Sequence, residues 1–156
     1  MKEVWYYPTL FGEVAIATEN NMVTALCLKK NFKRKEYIYK ENPLMEKTIK
    51  ELHEYFLGKR KIFDLPLAPE GTAYQKRVWQ CLINIPYGEI RTYKDIAIEI
   101  GNEKGCRSIG SACSKNPIWI LIPCHRVIGT NGTLTGYAGG LMVKEHLLAL
   151  EKNRER

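Results

Sequence analysis

The chain has 156 residues, enough for one domain or two small ones. With 45% hydrophobic and 26% charged residues it is not a mostly disordered chain, and no apolar run approaches the roughly 18 residues of a membrane span. The net charge of +7 favours a polyanionic partner; residues 1–64 carry 12 basic and 9 acidic groups and residues 65–156 carry 12 and 8, so a folded surface, not a basic tail, has to do any binding.

Met1 to Trp5 lacks the apolar stretch of a secretory signal, and the five cysteines include no Cys-x-x-Cys pair. Free thiols in a reducing cytoplasm, or a nucleus if the source is eukaryotic, are therefore expected. The first strand candidate is Val4 to Tyr7. Two more, Val14 to Ala17 and Val23 to Leu28, flank a hairpin-like turn at Glu19-Asn20-Asn21. Lys29 to Lys35 is a charge run and reads as a solvated loop. Asn42 then caps a helix with Pro43 at its first position, and Met45, Ile49, Leu52 and Phe56 line one face before Gly58 stops it. Asp64 to Gly71, with two prolines and a glycine, reads as a linker.

Beyond it the pattern turns helical. Thr72-Ala73-Tyr74-Gln75 fits a capping box, with Tyr74, Val78, Leu82 and Ile85 inward and Pro86 as terminator. Thr92 caps a second helix with Ile96, Ala97 and Ile100 inward and Gly101 at its end. Asn102 is expected to cap a third helix running to about Ser114. The last two fit a helix-turn-helix. On a wheel of 100° per residue, Cys106, Ile109 and Cys113 fall inward, and Lys104, Arg107, Ser108 and Ser111 fall outward. That outer face is basic and otherwise small, which suits close approach to a phosphate backbone. An ordinary helical hairpin with a solvated face fits the same spacing.

Ile118 to Ile122 is a continuous apolar run, a buried strand or core segment, and it ends at Pro123-Cys124-His125-Arg126. A free thiol titrates near roughly 8.5 and needs a base, a cation or a helix N-terminus to become a nucleophile. Cys124 is the best nucleophile candidate. Cys27, Cys81, Cys106 and Cys113 sit in apolar stripes and read as small hydrophobes. Glycines 129, 132, 136, 139 and 140 crowd a loop that has to turn sharply or admit a ligand to its backbone. A last helix runs from about Leu141 to Glu151 with Val143, Leu147, Leu148 and Leu150 inward. Taken alone, Glu145 and Glu151 are solvated charges, and His53 and His146 are surface histidines.

Ile122-Pro123-Cys124-His125-Arg126-Val127 resembles the active-site signature of the 6-O-alkylguanine-DNA alkyltransferases. Pro86-Tyr87-Gly88-Glu89, Thr92-Tyr93, Arg107 with Ile109-Gly110, Asn116-Pro117, Gly136 to Gly140, and Lys144-Glu145 through Leu148 with Glu151 follow in the family's order. The resemblance is strong from Thr72 to Glu151; residues 1–70 match only in general layout. It implies an α+β fold: a small ribonuclease H-like domain at residues 1–69, then a mainly helical DNA-binding and alkyltransferase domain at 70–156 with the helix-turn-helix.

The resemblance also implies the chemistry. The protein is expected to move an alkyl group, mainly methyl, from the 6-oxygen of guanine in double-stranded DNA (the 4-oxygen of thymine is a further target) irreversibly onto Cys124. The nucleotide is flipped out through the minor groove, at a cost of a few kcal/mol. His125 takes the thiol proton through a water, Glu151 orients the imidazole, Tyr93 crowds the phosphate and protonates the leaving base, and Asn116 braces the site. Arg107 is the finger that fills the base stack, and Tyr74, Lys94, Asn102 and Thr130 are further DNA contacts. Val127, Tyr137, Ala138, Gly139 and Trp119 line the base pocket.

Two positions depart from some members. Ala138 replaces a serine whose hydroxyl can bond the guanine oxygen, and Trp119 replaces a proline. No cofactor is implied. Cys27 and His53 are too few for the zinc site of some members, so no metal is expected. A monomer without membrane association is expected. An alkyltransferase-like protein, which binds alkylated DNA without chemistry, is the alternative; such proteins lack the cysteine.

Overall fold

The computed structural model describes residues 1–132, 137 and 140–152, which form two compact units divided between Glu70 and Gly71. The first unit is built on a four-stranded sheet of β1 (Glu3–Thr9), β2 (Gly12–Glu19), β3 (Met22–Leu28) and β4 (Ile38–Tyr39), in the order β3-β2-β1-β4. The β1–β2 and β2–β3 pairs are antiparallel, and β4 joins β1 in parallel. Asn20 and Asn21 turn the second hairpin at φ of 52° and 59°. A tight two-residue turn needs such left-handed backbone, which asparagine tolerates better than most residues.

Helix α1 (Pro43–Phe56) packs against the sheet, and the Asn42 side chain caps it by accepting from the Met45 amide at 3.0 Å. Its buried face is Met45, Thr48, Ile49, Leu52 and Tyr55; Tyr55, not Phe56, is the aromatic fully withdrawn from water. A separate cluster of Val4, Ala15, Ala17, Ala25 and Tyr37 is flanked by Tyr6 and Phe32. The proline-rich stretch expected to be a linker is in part a strap on β3. The Val23 amide donates to the Pro66 carbonyl, and the Ala68 amide to the Val23 carbonyl, each at 2.8 Å. Backbone groups of the stretch thus find partners on a strand edge.

The second unit is mainly helical: α2 (Ala73–Ile83), α3 (Tyr93–Glu99), α4 (Cys106–Ser114) and α5 (Leu141–Lys152), with a short parallel pair β5 (Arg91–Thr92) and β6 (Val127–Ile128). Capping boxes open α2 at Thr72 and α3 at Thr92. Trp79 is buried on α2, and its indole N–H donates to the Ala112 carbonyl of α4 at 2.9 Å. The helix-turn-helix is α3 and α4.

Two sequence-based expectations need correction here. Asn102 does not cap α4, because the turn between the helices is longer than expected and Gly105 holds the N-cap. The Asn102 side chain instead fills the space where a Cβ on residue 105 would lie. Its amide donates to the Tyr74 hydroxyl at 3.1 Å. Cys106 is exposed; the later helix start leaves Ile109, Ala112 and Cys113 as the buried face. Of the two readings of the apolar run Ile118 to Ile122, strand or core segment, the structure has the buried core segment, irregular in backbone. Ile120 adopts a left-handed φ of 71°, and the Ile122 amide turns back to the Ile118 carbonyl at 3.0 Å. A β-branched residue in that region costs about 1–2 kcal/mol, so the surrounding bonds have to hold it. Among the described residues, no helix is long and apolar enough to cross a membrane.

Candidate active site

Cys124, His125 and Arg126 form one 3-10 turn directly after Pro123. The core segment before it is held by Asn116. The Asn116 carboxamide donates to the Ile122 carbonyl and to Cys124 Sγ, both at 2.8 Å, and its oxygen accepts from the Ile118 amide at 2.9 Å. One side chain thus satisfies the turn that carries the strained Ile120 and also touches the sulfur. After the turn, Val127 and Ile128 pair with Arg91 and Thr92. This pairing fixes the start of α3, and so Tyr93, relative to the cysteine.

Cys124 is buried at 2% exposure. Burial pushes its thiol well above the usual range and the neighbouring Cys113 adds to this, while the Asn116 hydrogen bond and the Lys144 charge pull the other way. The resting group is therefore a thiol, and a base has to take its proton as it reacts.

His125 is fully buried, and its Nε2–H donates to Glu151 Oε2 at 2.7 Å. That bond leaves Nδ1 as the basic nitrogen, and Nδ1 has no protein partner among the described residues. Burial lowers the imidazole pKa; Glu151 opposes this, and the Arg126 and Lys144 charges reinforce it. The ring is thus neutral and available as a base near neutral pH.

Glu151 is not the solvated terminal charge that its position alone suggests; it is 1% exposed. Arg126 grips it twice, Nε to Oε1 at 2.8 Å and Nη2 to Oε2 at 3.0 Å, and donates a third bond to the Ile85 carbonyl at 2.7 Å. Burial pushes the carboxyl up, but the hydrogen bonds and charges of His125 and Arg126 outweigh it and bring it to about 2. A bidentate, charge-assisted pair of this kind is among the stronger polar contacts.

The buried face of α5 is Lys144, Leu147 and Glu151, where Val143 and three leucines were expected. The Lys144 ammonium lies 5.7 Å from the centre of the Tyr93 ring. Sequence reasoning assigned no role to Arg126 or Lys144. The spacing of Lys144, Leu147 and Glu151 puts them on one helix face, a signal left unused; nothing in the sequence pointed to Arg126 pairing with a residue 25 positions away.

Among the pocket residues, Val127 is buried, and the buried Tyr137 ring stands 6.1 Å from Trp119 and edge-on to His125 at 6.4 Å. Ala138 and Gly139 lie outside the described residues. Arg107, Ser108 and Ser111 are exposed on α4 and line an open groove with Thr72, Tyr74 and Gln75. Lys94 and Thr130 are exposed, on α3 and on the turn after β6. The other thiols differ in character. Burial with the Glu99 hydrogen bond pushes Cys81 up to about 12, and burial pushes Cys27 up to about 11.

Comparison with known proteins gives a consistent picture. Family models described as the DNA binding domain and the ribonuclease-like domain of 6-O-methylguanine DNA methyltransferase match residues 73–153 and 5–69. A methylated-DNA–protein-cysteine methyltransferase of Methanosarcina barkeri is 59% identical over 107 residues, 69% of this chain and 68% of that protein. The constitutive methylated-DNA–protein-cysteine methyltransferase of Bacillus subtilis is 44% identical over 157 residues, 94% of this chain and 95% of that protein. The crystal structure of Mycobacterium tuberculosis OGT in complex with DNA superposes with a TM-score of 0.91 at 38% identity, covering 97% of this chain and 94% of that one.

Proposed function

The chain belongs to the 6-O-methylguanine DNA methyltransferase family, and from that premise we propose that it repairs duplex DNA by moving the methyl group from the 6-oxygen of guanine onto Cys124, once per molecule. The observation that carries this reading is the buried chain from Glu151 to His125 in the same turn as Cys124, with Asn116 bonded to the sulfur. It has the order nucleophile, base, orienter that activates weak nucleophiles elsewhere.

The steps follow from the groups present. Cys124 Sγ attacks the methyl carbon in line, and the carbon–oxygen bond to guanine breaks. The thiol proton passes through a water to His125 Nδ1, and Glu151, itself held in place by Arg126, stabilises the resulting imidazolium in a site closed to bulk solvent. The Tyr93 hydroxyl protonates the departing guanine. The product is a thioether with no labile bond, so the molecule is spent. Residues 1–69 form the ribonuclease-like domain and 70–156 the reactive one in this reading. Free thiols suit a reducing cytoplasm.

Intact mass before and after incubation with a duplex carrying one methylated guanine tests the proposal. The expected gain is one methyl per molecule, mapped to Cys124. Repeated turnover would instead mark a cysteine hydrolase, and binding without mass gain an alkyltransferase-like protein.

Recognition of DNA is assigned to the exposed face of α4. Its serines admit the helix to a narrow groove, and Arg107 fills the gap left by the extruded nucleotide, with Tyr74, Lys94, Asn102 and Thr130 at its margins. Arg107→Ala is expected to slow repair of duplex DNA at least ten-fold while leaving the reaction with free methylguanine base nearly unchanged, since only the duplex has a stack to fill. Equal losses on both substrates would remove the finger role.

Trp119 supplies a bulky wall beside Tyr137. Transfer from benzylguanine DNA is therefore expected to be slower than from methylguanine DNA, and single-turnover rates on the two duplexes measure it.

A further inference from the structure

Cys113 sits in the last turn of α4 and is buried at 1% exposure. Cys124 Sγ points at its carbonyl oxygen at 3.5 Å, which puts the nucleophile against the backbone of a second buried cysteine. The segment between them is tied at both ends. The Cys113 carbonyl also accepts from the Asn116 amide at 3.3 Å, and the Asn116 side chain holds Cys124 Sγ. The two cysteines are thus kept adjacent by the brace of the active turn. Lys144 acts electrostatically on both. Nothing in the methyl-transfer chemistry calls for a second thiol here; an apolar side chain would pack the same space.

We propose that Cys113 is a modification site coupled to the nucleophile: a hydroperoxide oxidises Cys124, and Cys113 closes on it to form a disulfide that thiol reductants reopen. The inference rests on Cys124 being the methyl acceptor. In the first step the Cys124 sulfur takes one oxygen from the peroxide, giving a sulfenic acid and releasing water or an alcohol. In the second the Cys113 sulfur attacks that sulfur, and the hydroxyl leaves with the Cys113 proton as water. Two electrons pass from the two sulfurs to the oxygen–oxygen bond. Without a neighbouring thiol, the sulfenic acid proceeds to sulfinic and sulfonic acids, which reductants do not reverse. A protein that can react only once would lose that single reaction to oxidation. The disulfide stores the nucleophile instead, and a methylated Cys124 cannot form it.

The test uses the full chain, reduced, with methyl acceptance measured first so that a failure of the acceptor reading is seen separately. Hydrogen peroxide is then added, free thiols are capped and mass is measured. The expected result is a loss of two hydrogens, a cross-linked peptide pair carrying Cys113 and Cys124, loss of methyl acceptance, and return of both on adding dithiothreitol. Protein methylated beforehand should show no such cross-link. Cys113→Ala should still accept methyl before oxidation, but peroxide should add two or three oxygens at Cys124, with no recovery by dithiothreitol. Cys113→Ser, nearly equal in volume, serves the same purpose if the alanine variant does not fold. A disulfide mapping elsewhere, or recovery as complete without Cys113 as with it, overturns the proposal.

Discussion

Cys124→Ser is expected to abolish methyl acceptance while duplex binding persists. The substitution changes one buried atom and keeps the volume, so the fold has little to relax around. The hydroxyl oxygen is a far weaker nucleophile than sulfur, and its proton is harder to remove. Asn116 can donate to either atom, so the turn remains braced. The face of α4 proposed to contact DNA is on the other side of that helix from Cys113 and is exposed independently of the sulfur. Intact mass should show no methyl gain on a methylated duplex, and a gel-shift titration should give nearly unchanged affinity. A persisting mass gain would mean that another thiol accepts the methyl group, and exposed Cys106 would be the first to examine.

Glu151→Gln is expected to damage both stability and chemistry. The carboxylate holds three donors from His125 and Arg126 in a site with almost no access to water. Neutralising it leaves the Arg126 guanidinium buried without its counter-charge and turns an amide N–H2 toward a donor. Breaking a buried pair in this way costs about 3–5 kcal/mol, to be read by urea unfolding. Loss of the orienter should also slow methyl transfer by roughly 10²–10⁴-fold, the range that positioned acid–base groups supply. An unchanged transfer rate at unchanged stability would remove Glu151 from both roles.

The same network sets an acid limit for the wild type. Glu151 falls from the ordinary 4.5 to about 2 in the fold, so its contribution is present in full above pH 4.5 and is lost as pH drops toward 2. His125 is also lowered from 6.5, so the unfolded chain binds its proton first and stability begins to decline below that pH. Both shifts act in one direction. Stability should fall on acidification in two stages, and Glu151→Gln should lose the lower one.

Much of this molecule was legible in local pattern. The Asn20-Asn21 turn, the Thr72 and Thr92 caps and the period of α1 each depend on side chains within four residues of one another, and short-range sterics and hydrogen bonds settle them. Cys124 and His125 stood out because a thiol and an imidazole adjoin at the end of a buried run. What was misread and what was left open share a cause. Asn102 looked like a cap because asparagine caps helices, yet the close approach of Gly105 turned its side chain toward Tyr74. Ile118 to Ile122 read equally as a strand or a core segment, and it is the bonds from Asn116 that bend it into the second.

What the sequence by itself determined is the secondary structure of the helices and hairpins and the choice of Cys124 as the candidate nucleophile, since these follow from residue type and near neighbours. Tertiary packing alone decided that Glu151 is a buried acceptor, that Arg126 is its counter-ion, and that Lys144 and Cys113 crowd the sulfur. Charge burial depends on which surfaces meet across long stretches of chain, and a carboxylate reads the same in sequence whether water or a guanidinium faces it.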